Sequence, residues 1–192
     1  MFNNTYCTLF NKNYLIKGLA LHESMLKNIK YFKLYILCMD DETYEILLRL
    51  KLKNVVLINL FDFEEEDLIK IKFGRSVAEY CWTCTPALLL YILKEFQEAI
   101  ITYLDADLYF FSDPSPIFDE FGNNSILITE HNFTPKYDQA DISGKYNVQF
   151  ITIRNDLNGI ACLEWWKKKC LEWCFARLED GKYGDQRYLE QW

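Results

Sequence analysis

Two aspartates, Asp105 and Asp107, follow an apolar run of sequence AIITYL. The run predicts a buried strand, and that strand would place both carboxylates at its C-terminal end. Ligands of open α/β sheets bind beyond that end of the strands. Carboxylates this close repel each other unless a cation lies between or beside them. The spacing therefore predicts a site for Mg²⁺ or Mn²⁺ that also contacts the phosphate oxygens of a ligand.

A lone D-x-D pair has a simpler interpretation as well, in which the two aspartates only cap the turn that follows. The position of the motif favours the metal site. It follows the fourth predicted strand of the chain and precedes the turn DPSP at residues 113–116. Both are unusual neighbours for a simple cap.

Hydrophobic periodicity predicts the elements that position this pair. Strands are predicted at residues 6–10, 31–39, 54–60, 99–104, 125–129 and 147–153. Helices are predicted at residues 13–27, 44–50, 75–96 and 158–177, with a kink or restart at Pro86. A β-α-β-α-β order is typical of a mostly parallel sheet flanked by helices. With no repeat and no linker, residues 1–192 are predicted to form one α/β domain.

The composition limits the possible partners. The formal net charge is −7, which argues against a nucleic acid as partner. To bind an anionic ligand, so acidic a chain would need a local positive feature such as a metal ion or a helix N-terminus. No apolar run reaches the roughly 20 residues of a transmembrane helix, and the first residues lack the features of a secretory signal.

The cysteines indicate the redox environment. There are seven, an odd number, and most lie within apolar patterns, so we expect reduced core cysteines and a cytoplasmic protein. Cys81 and Cys84 form a C-x-x-C, which is more simply explained by core packing than by a metal or redox site.

The segment YLDADLYFF at residues 103–111 resembles the Asp-x-Asp motif of GT-A-fold glycosyltransferases. It is most similar to the family-8-type enzymes and the bacterial nucleotide-diphospho-sugar transferases. Six further segments are similar to theirs in the same order: TLFNKNYLIKGLALHESM, FKLYILCMDD, NVVLINL, RSVAEYCWTCTPALLLYIL, KYNVQFITIRND and YGDQRYL. The resemblance implies a Rossmann-like GT-A fold and a metal-dependent transfer of sugar from a nucleotide diphosphate, with a UDP-sugar favoured. The acceptor would be an unknown glycan, lipid or protein.

The resemblance also implies roles for particular residues. Asp107 would chelate the metal, and Asp105 would contact the metal, the ribose or both. The nucleotide base would lie against Thr8, Leu9, Phe10 and Asn11, and Arg75 would contact the diphosphate or the sugar. The donor sugar would be held by Asn147, Asp185 and Gln186.

Two of the implied catalytic residues have simpler alternatives. Gln186 would face the reacting carbon as nucleophile or stabiliser, but it is also explained as a surface amide at a helix start. Glu130 stands at an acceptor-side position, and a surface carboxylate at a strand end explains it equally well.

The chain departs from the family pattern in two places. Val148 and Gln149 replace the small residues that usually follow the sugar-contacting Asn, so the sugar pocket would differ in shape. The family's third metal ligand, a His beyond the Asp-Gln pair, lies in a segment that we expect to be missing after Trp192. His131 is a possible substitute, whereas His22 is expected to be structural.

Two other functions compete with this prediction. A haloacid-dehalogenase-type phosphatase also has a strand that ends in D-x-D, but its motif lies on the first strand and needs Thr or Val where this chain has Tyr109. A catalytically incomplete nucleotide-sugar-binding module remains the second alternative. Turnover measured on a longer chain would distinguish this module from an enzyme.

Overall fold

The structure, a computed structural model, describes residues 4–192 and contains one six-stranded sheet. Its strands are β1 (Asn4–Phe10), β2 (Phe32–Cys38), β3 (Val55–Asn59), β4 (Ile100–Leu104), β5 (Ile126–Glu130) and β6 (Tyr146–Arg154). The spatial order is β3-β2-β1-β4-β6-β5. The first four strands in this order are parallel, and β6 runs antiparallel to both β4 and β5. The predicted mixed α/β class with a mostly parallel sheet is confirmed.

Eight helices connect and flank the strands in this part of the chain. They are α1 (Leu15–Asn28), α2 (Asp41–Leu50), α3 (Leu60–Phe63), α4 (Glu66–Lys72), α5 (Val77–Glu95), α6 (Ser115–Phe121), α7 (Ala140–Ser143) and α8 (Leu157–Glu172). Short 3₁₀ turns occupy Lys12–Tyr14, Pro135–Tyr137 and Gln186–Gln191. No helix among residues 4–192 is long and apolar enough to cross a membrane.

Two hydrophobic cores cover the two faces of the sheet, because successive side chains of a strand point to opposite faces. On β1, Cys7 and Leu9 belong to the core shared with α5 and α8. Tyr6 and Phe10 belong to the core shared with α1. The fold therefore has a layer of helices on each face of one sheet, and β1 is buried between the two layers.

The long helix α5 begins at a capping box. The Ser76 hydroxyl accepts from the backbone of Glu79, and the Glu79 carboxylate accepts from the backbone of Ser76. This cap fixes the N-terminus of α5 beside the carboxyl ends of the strands. Pro86 lies inside α5, which continues on both sides of it as one helix, so the predicted restart does not occur.

Helix α8 is shorter than predicted. It ends at Glu172, and Trp173 adopts an extended backbone with φ −157° and ψ 127°. Trp173 and Cys174, which follow the helix, are still buried, although they no longer belong to it. The short helices α3, α4 and α7 were not predicted, since four to seven residues leave too short a periodic pattern.

Candidate functional site

The D-x-D pair lies where β4 leaves the sheet. The Asp105 backbone N–H donates to the carbonyl of Gln149 on the neighbouring β6 at 2.9 Å. The Tyr103 hydroxyl donates to Asp105 Oδ1 at 3.1 Å. A turn follows, in which the Leu108 N–H donates to the Asp105 carbonyl at 3.2 Å. The backbone of Asp105 is thus held by the sheet, and its carboxylate has a defined orientation.

The two carboxylates have different environments. The pKa of Asp105 is raised to about 6, chiefly by burial; the Tyr103 hydrogen bond lowers it, and the charge of Asp107 adds a smaller increase. Asp107 is exposed, and its Oδ2 lies 3.2 Å from Nζ of Lys17. A divalent cation beside Asp105 would offset both the burial and the repulsion that disfavour its charge. The pair therefore fits a metal ion with oxygen ligands.

A third protein ligand is not assembled. No group of three His, Cys, Asp or Glu side chains within residues 4–192 is placed to hold a metal. His131, the predicted substitute, stacks on Phe133 with ring centroids 4.4 Å apart. Its Nε2 lies 3.4 Å from Oε1 of Gln186. The structure therefore does not bring His131 together with the aspartate pair.

A cavity of about 340 Å³ opens between the end of β1 and the start of α5. Three of the four residues predicted to contact the base line it, namely Leu9, Phe10 and Asn11. Thr8 does not, because its side chain is fully buried in the sheet. Asp105 and Asp107 line the same cavity. The Asn11 side chain accepts from the N–H of Asn13 at 3.1 Å.

A second cavity of about 120 Å³ adjoins the first. It contains the three residues that were predicted to hold a donor sugar, Asn147, Asp185 and Gln186. Its wall is shared with the first cavity through Trp82, Tyr103 and Asp105. Residues that are far apart in the sequence thus surround two adjoining spaces, with Asp105 at their junction.

Asp185 is the most deeply buried acid of this site. The pKa of Asp185 is raised to about 7, chiefly by burial and also by the negative charge of Asp105. Asp185 Oδ2 has no hydrogen-bond partner among residues 4–192. The backbone is fixed, because Trp166 Nε1 donates to the Asp185 carbonyl at 2.7 Å and Gly184 turns the chain at φ +53°. A buried oxygen without a partner is costly, so a ligand hydroxyl that reached this oxygen from the cavity would supply the missing hydrogen bond.

The amides of the second cavity are also positioned. Gln186 Nε2 donates to the Ser143 carbonyl at 2.8 Å, which directs its oxygen toward His131. Asn147 Oδ1 accepts from the N–H of Gln149 at 2.9 Å. Each amide keeps at least one further hydrogen-bonding position after these contacts.

Arg75, which was predicted to contact the diphosphate or the sugar, lines neither of the two cavities. Its guanidinium donates to the carbonyls of Cys170, Leu171 and Cys174 at 2.8, 2.9 and 2.5 Å. It also packs on the Phe175 ring, 4.8 Å from the centroid. Arg75 therefore ties the end of α8 to the start of α5.

Glu130 also lies outside both linings. It forms an ion pair of 2.9 Å with Lys145, and about half of each side chain is exposed. This environment corresponds to the simpler alternative, a surface carboxylate at a strand end.

His22 is structural as expected, because it is buried and its Nε2 lies 2.8 Å from the Lys53 carbonyl.

Trp82 is a lining residue of both cavities that the sequence did not predict. It lies against Gly184, where an added Cβ would be 3.6 Å from its ring. Cys81, one turn of α5 after Ala78, lines the first cavity as well, while Cys84 is buried in the core. Residues 78, 81, 82 and 85 share one face of α5 because of their helical spacing. This spacing was the signal in the sequence that could have placed Trp82 at the site.

Comparison with known proteins places this geometry in context. No protein-family model matches the chain. The Bacillus subtilis (strain 168) protein YfnF, which is uncharacterized, is 38% identical over 195 residues. That alignment covers 97% of this chain and 64% of YfnF, so the chain spans just under two thirds of this relative.

Solved structures that share this fold include glycosyltransferases. GlyE of Streptococcus pneumoniae TIGR4 superposes with a TM-score of 0.62 at 16% identity, over 100% of this chain and 43% of GlyE. The galactosyltransferase LgtC, in complex with donor and acceptor sugar analogs, superposes with a TM-score of 0.61 at 14% identity. That match covers 88% of this chain and 64% of LgtC. The chain therefore has the fold of GT-A-like glycosyltransferases.

Proposed function

We propose that the chain is the donor-binding part of a metal-dependent glycosyltransferase of the family-8 type. It would bind a nucleotide-diphosphate sugar, with UDP as the favoured nucleotide, and transfer the sugar to a glycan, lipid or protein acceptor. The observation that supports this most is the position of Asp105. It lies in the wall shared by two cavities, one beside the β1 terminus and one beside Asn147, Asp185 and Gln186.

The two cavities suit the two ends of such a donor. The larger has an apolar and amide lining from Leu9, Phe10 and Asn11, which suits a flat base and a ribose. The smaller holds a buried acid and two amides, which suit the hydroxyls of a sugar. The diphosphate would then lie at Asp105 and Asp107, where only a cation reconciles two carboxylates with phosphate oxygens.

Asp105 and Asp107 would hold Mn²⁺ or Mg²⁺, and such an ion stabilises the charge that develops on a departing phosphate. The protein's own residues would orient the sugar. Asp185 Oδ2 would accept from a sugar hydroxyl, replacing the hydrogen bond it lacks. Gln186, whose side-chain nitrogen donates to the Ser143 carbonyl, would line the same cavity, and Trp82 with Tyr103 would keep water from the junction.

A binding experiment tests the proposal. Calorimetry with UDP and a panel of UDP-sugars, in Mn²⁺ and in EDTA, should show binding that depends on the metal. Asp107→Asn should remove that dependence and leave the thermal stability unchanged, because Asp107 is exposed. Asp113→Asn is the matched control, since Asp113 is an exposed aspartate outside both cavity linings. Equal nucleotide affinity in EDTA and in Mn²⁺ would contradict the metal site.

A further inference from the structure

Lys17 is the cation that the protein itself places on the D-x-D motif. Lys17 lies in the first turn of α1, and its Nζ is 3.2 Å from Asp107 Oδ2. The same ammonium lies 4.2 Å from the centroid of the Tyr14 ring. Tyr14 and Asp107 both line the larger cavity, so Lys17 stands at its rim.

This contact conflicts with metal binding at Asp107. A divalent cation needs the lone pairs of the carboxylate oxygens, and the ammonium of Lys17 occupies one of those oxygens. Two cations within a few ångströms of each other also repel. Because about half of the Lys17 side chain is exposed, the ammonium is free to move away without any change of the fold.

We propose that Lys17 is a displaceable counterion, which a divalent cation releases from Asp107 and which then pairs with the diphosphate in the larger cavity. This inference rests on the proposed function. The released ammonium stays tethered to α1 at the rim formed by Tyr14 and Asp107, next to where an anionic ligand lies. Metal and nucleotide therefore bind cooperatively. The metal ion replaces Lys17 at Asp107, and the diphosphate then gives the released Lys17 ammonium a new anionic partner.

The expected effects are small but measurable. Exposed ion pairs are weak, so loss of the competing ammonium should tighten Mn²⁺ binding to the nucleotide-free protein by about two- to fivefold. The factor by which UDP improves Mn²⁺ affinity should fall, by about threefold or more, because the variant cannot re-pair a cation with the diphosphate.

The test is a Mn²⁺ titration followed by electron paramagnetic resonance of the free ion, with and without UDP. Wild type is compared with Lys17→Gln and with Lys27→Gln. Lys27 is the matched control because it lies on the same helix and also forms an exposed ion pair, with Glu23 at 2.7 Å. Lys17→Gln should bind Mn²⁺ more tightly than wild type and show the smaller UDP effect, whereas Lys27→Gln should match wild type.

The possible failures are distinguishable. If Lys17→Gln behaves like Lys27→Gln while wild type binds Mn²⁺ with UDP, the inference is wrong and the metal site stands. Tighter Mn²⁺ binding with an unchanged UDP effect would overturn the pairing of Lys17 with the diphosphate. If wild type binds no Mn²⁺ even with UDP, the proposed metal site fails, and the inference fails with it.

Discussion

Substitution of Arg75 distinguishes a role of this residue in stability from a role in ligand binding. Its three hydrogen bonds to carbonyls fasten the end of α8, and Glu79 accepts from the N–H of Ala176 at 2.8 Å beside them. The α8 carbonyls lack partners within their helix, so Arg75 acts as its C-terminal cap. We therefore predict that Arg75→Gln destabilises the protein without weakening nucleotide binding.

The magnitude follows from the contacts. A hydrogen bond from a charged donor contributes about 1.5–3 kcal/mol, and bonds that share one group do not add fully. Because Arg75 is half-buried, we expect a loss of about 2–4 kcal/mol. For a chain of this size, each kcal/mol lowers Tm by about 2–4 °C, which gives a decrease of roughly 4–16 °C.

The assay is thermal denaturation combined with nucleotide calorimetry below the transition. Arg49→Gln is the control, since Arg49 forms a weak exposed ion pair with Glu45 at 3.6 Å and should change Tm by less than about 2 °C. Nucleotide affinity of Arg75→Gln should stay within about twofold of wild type, because Arg75 lines neither cavity. An unchanged Tm with an affinity loss of tenfold or more would refute this reasoning and restore the diphosphate role.

Three further predictions concern stability and the shared wall of the cavities. Burial raises the pKa of Glu98, but hydrogen bonds, chiefly from Lys33, outweigh it and hold the pKa below its ordinary 4.5. Glu98→Gln should therefore be less stable in urea than wild type at neutral pH, and the difference should shrink as the pH falls below 4.5. Gly159→Ala should reduce Tm or soluble yield severely, because its Cβ would lie 2.0 Å from the Arg154 carbonyl oxygen. Trp82→Phe should remove most of the tryptophan fluorescence change on nucleotide binding; an undiminished change would place the nucleotide elsewhere.

The sheet and the D-x-D position were predictable because their signals are local. An apolar run that ends abruptly in Asp105 and Asp107 indicates a strand terminus without knowledge of the rest of the chain. The end of α8 was not predictable in the same way. Its apolar pattern continues past Glu172, and tertiary contacts rather than periodicity set the boundary.

The placement of individual site residues was harder to predict, because it depends on contacts between residues far apart in the sequence. The role of Arg75 could not be read locally, since its partners lie 95 to 99 positions away. Thr8 was chosen for its nearness to a strand end, which does not fix which side chains reach the cavity. Asp185 and Gln186 were selected by resemblance, and only the folded chain shows them beside Asp105.

The most direct test of the central claim is a crystal structure with a UDP-sugar and Mn²⁺, in which anomalous scattering locates the metal. We expect one strong Mn²⁺ peak bonded to carboxylate oxygens of Asp105 and Asp107. We also expect the base beside Asn11 and the sugar beside Asp185 and Gln186. A well-ordered nucleotide with no metal at the aspartate pair, or with its sugar outside the smaller cavity, would contradict the claim.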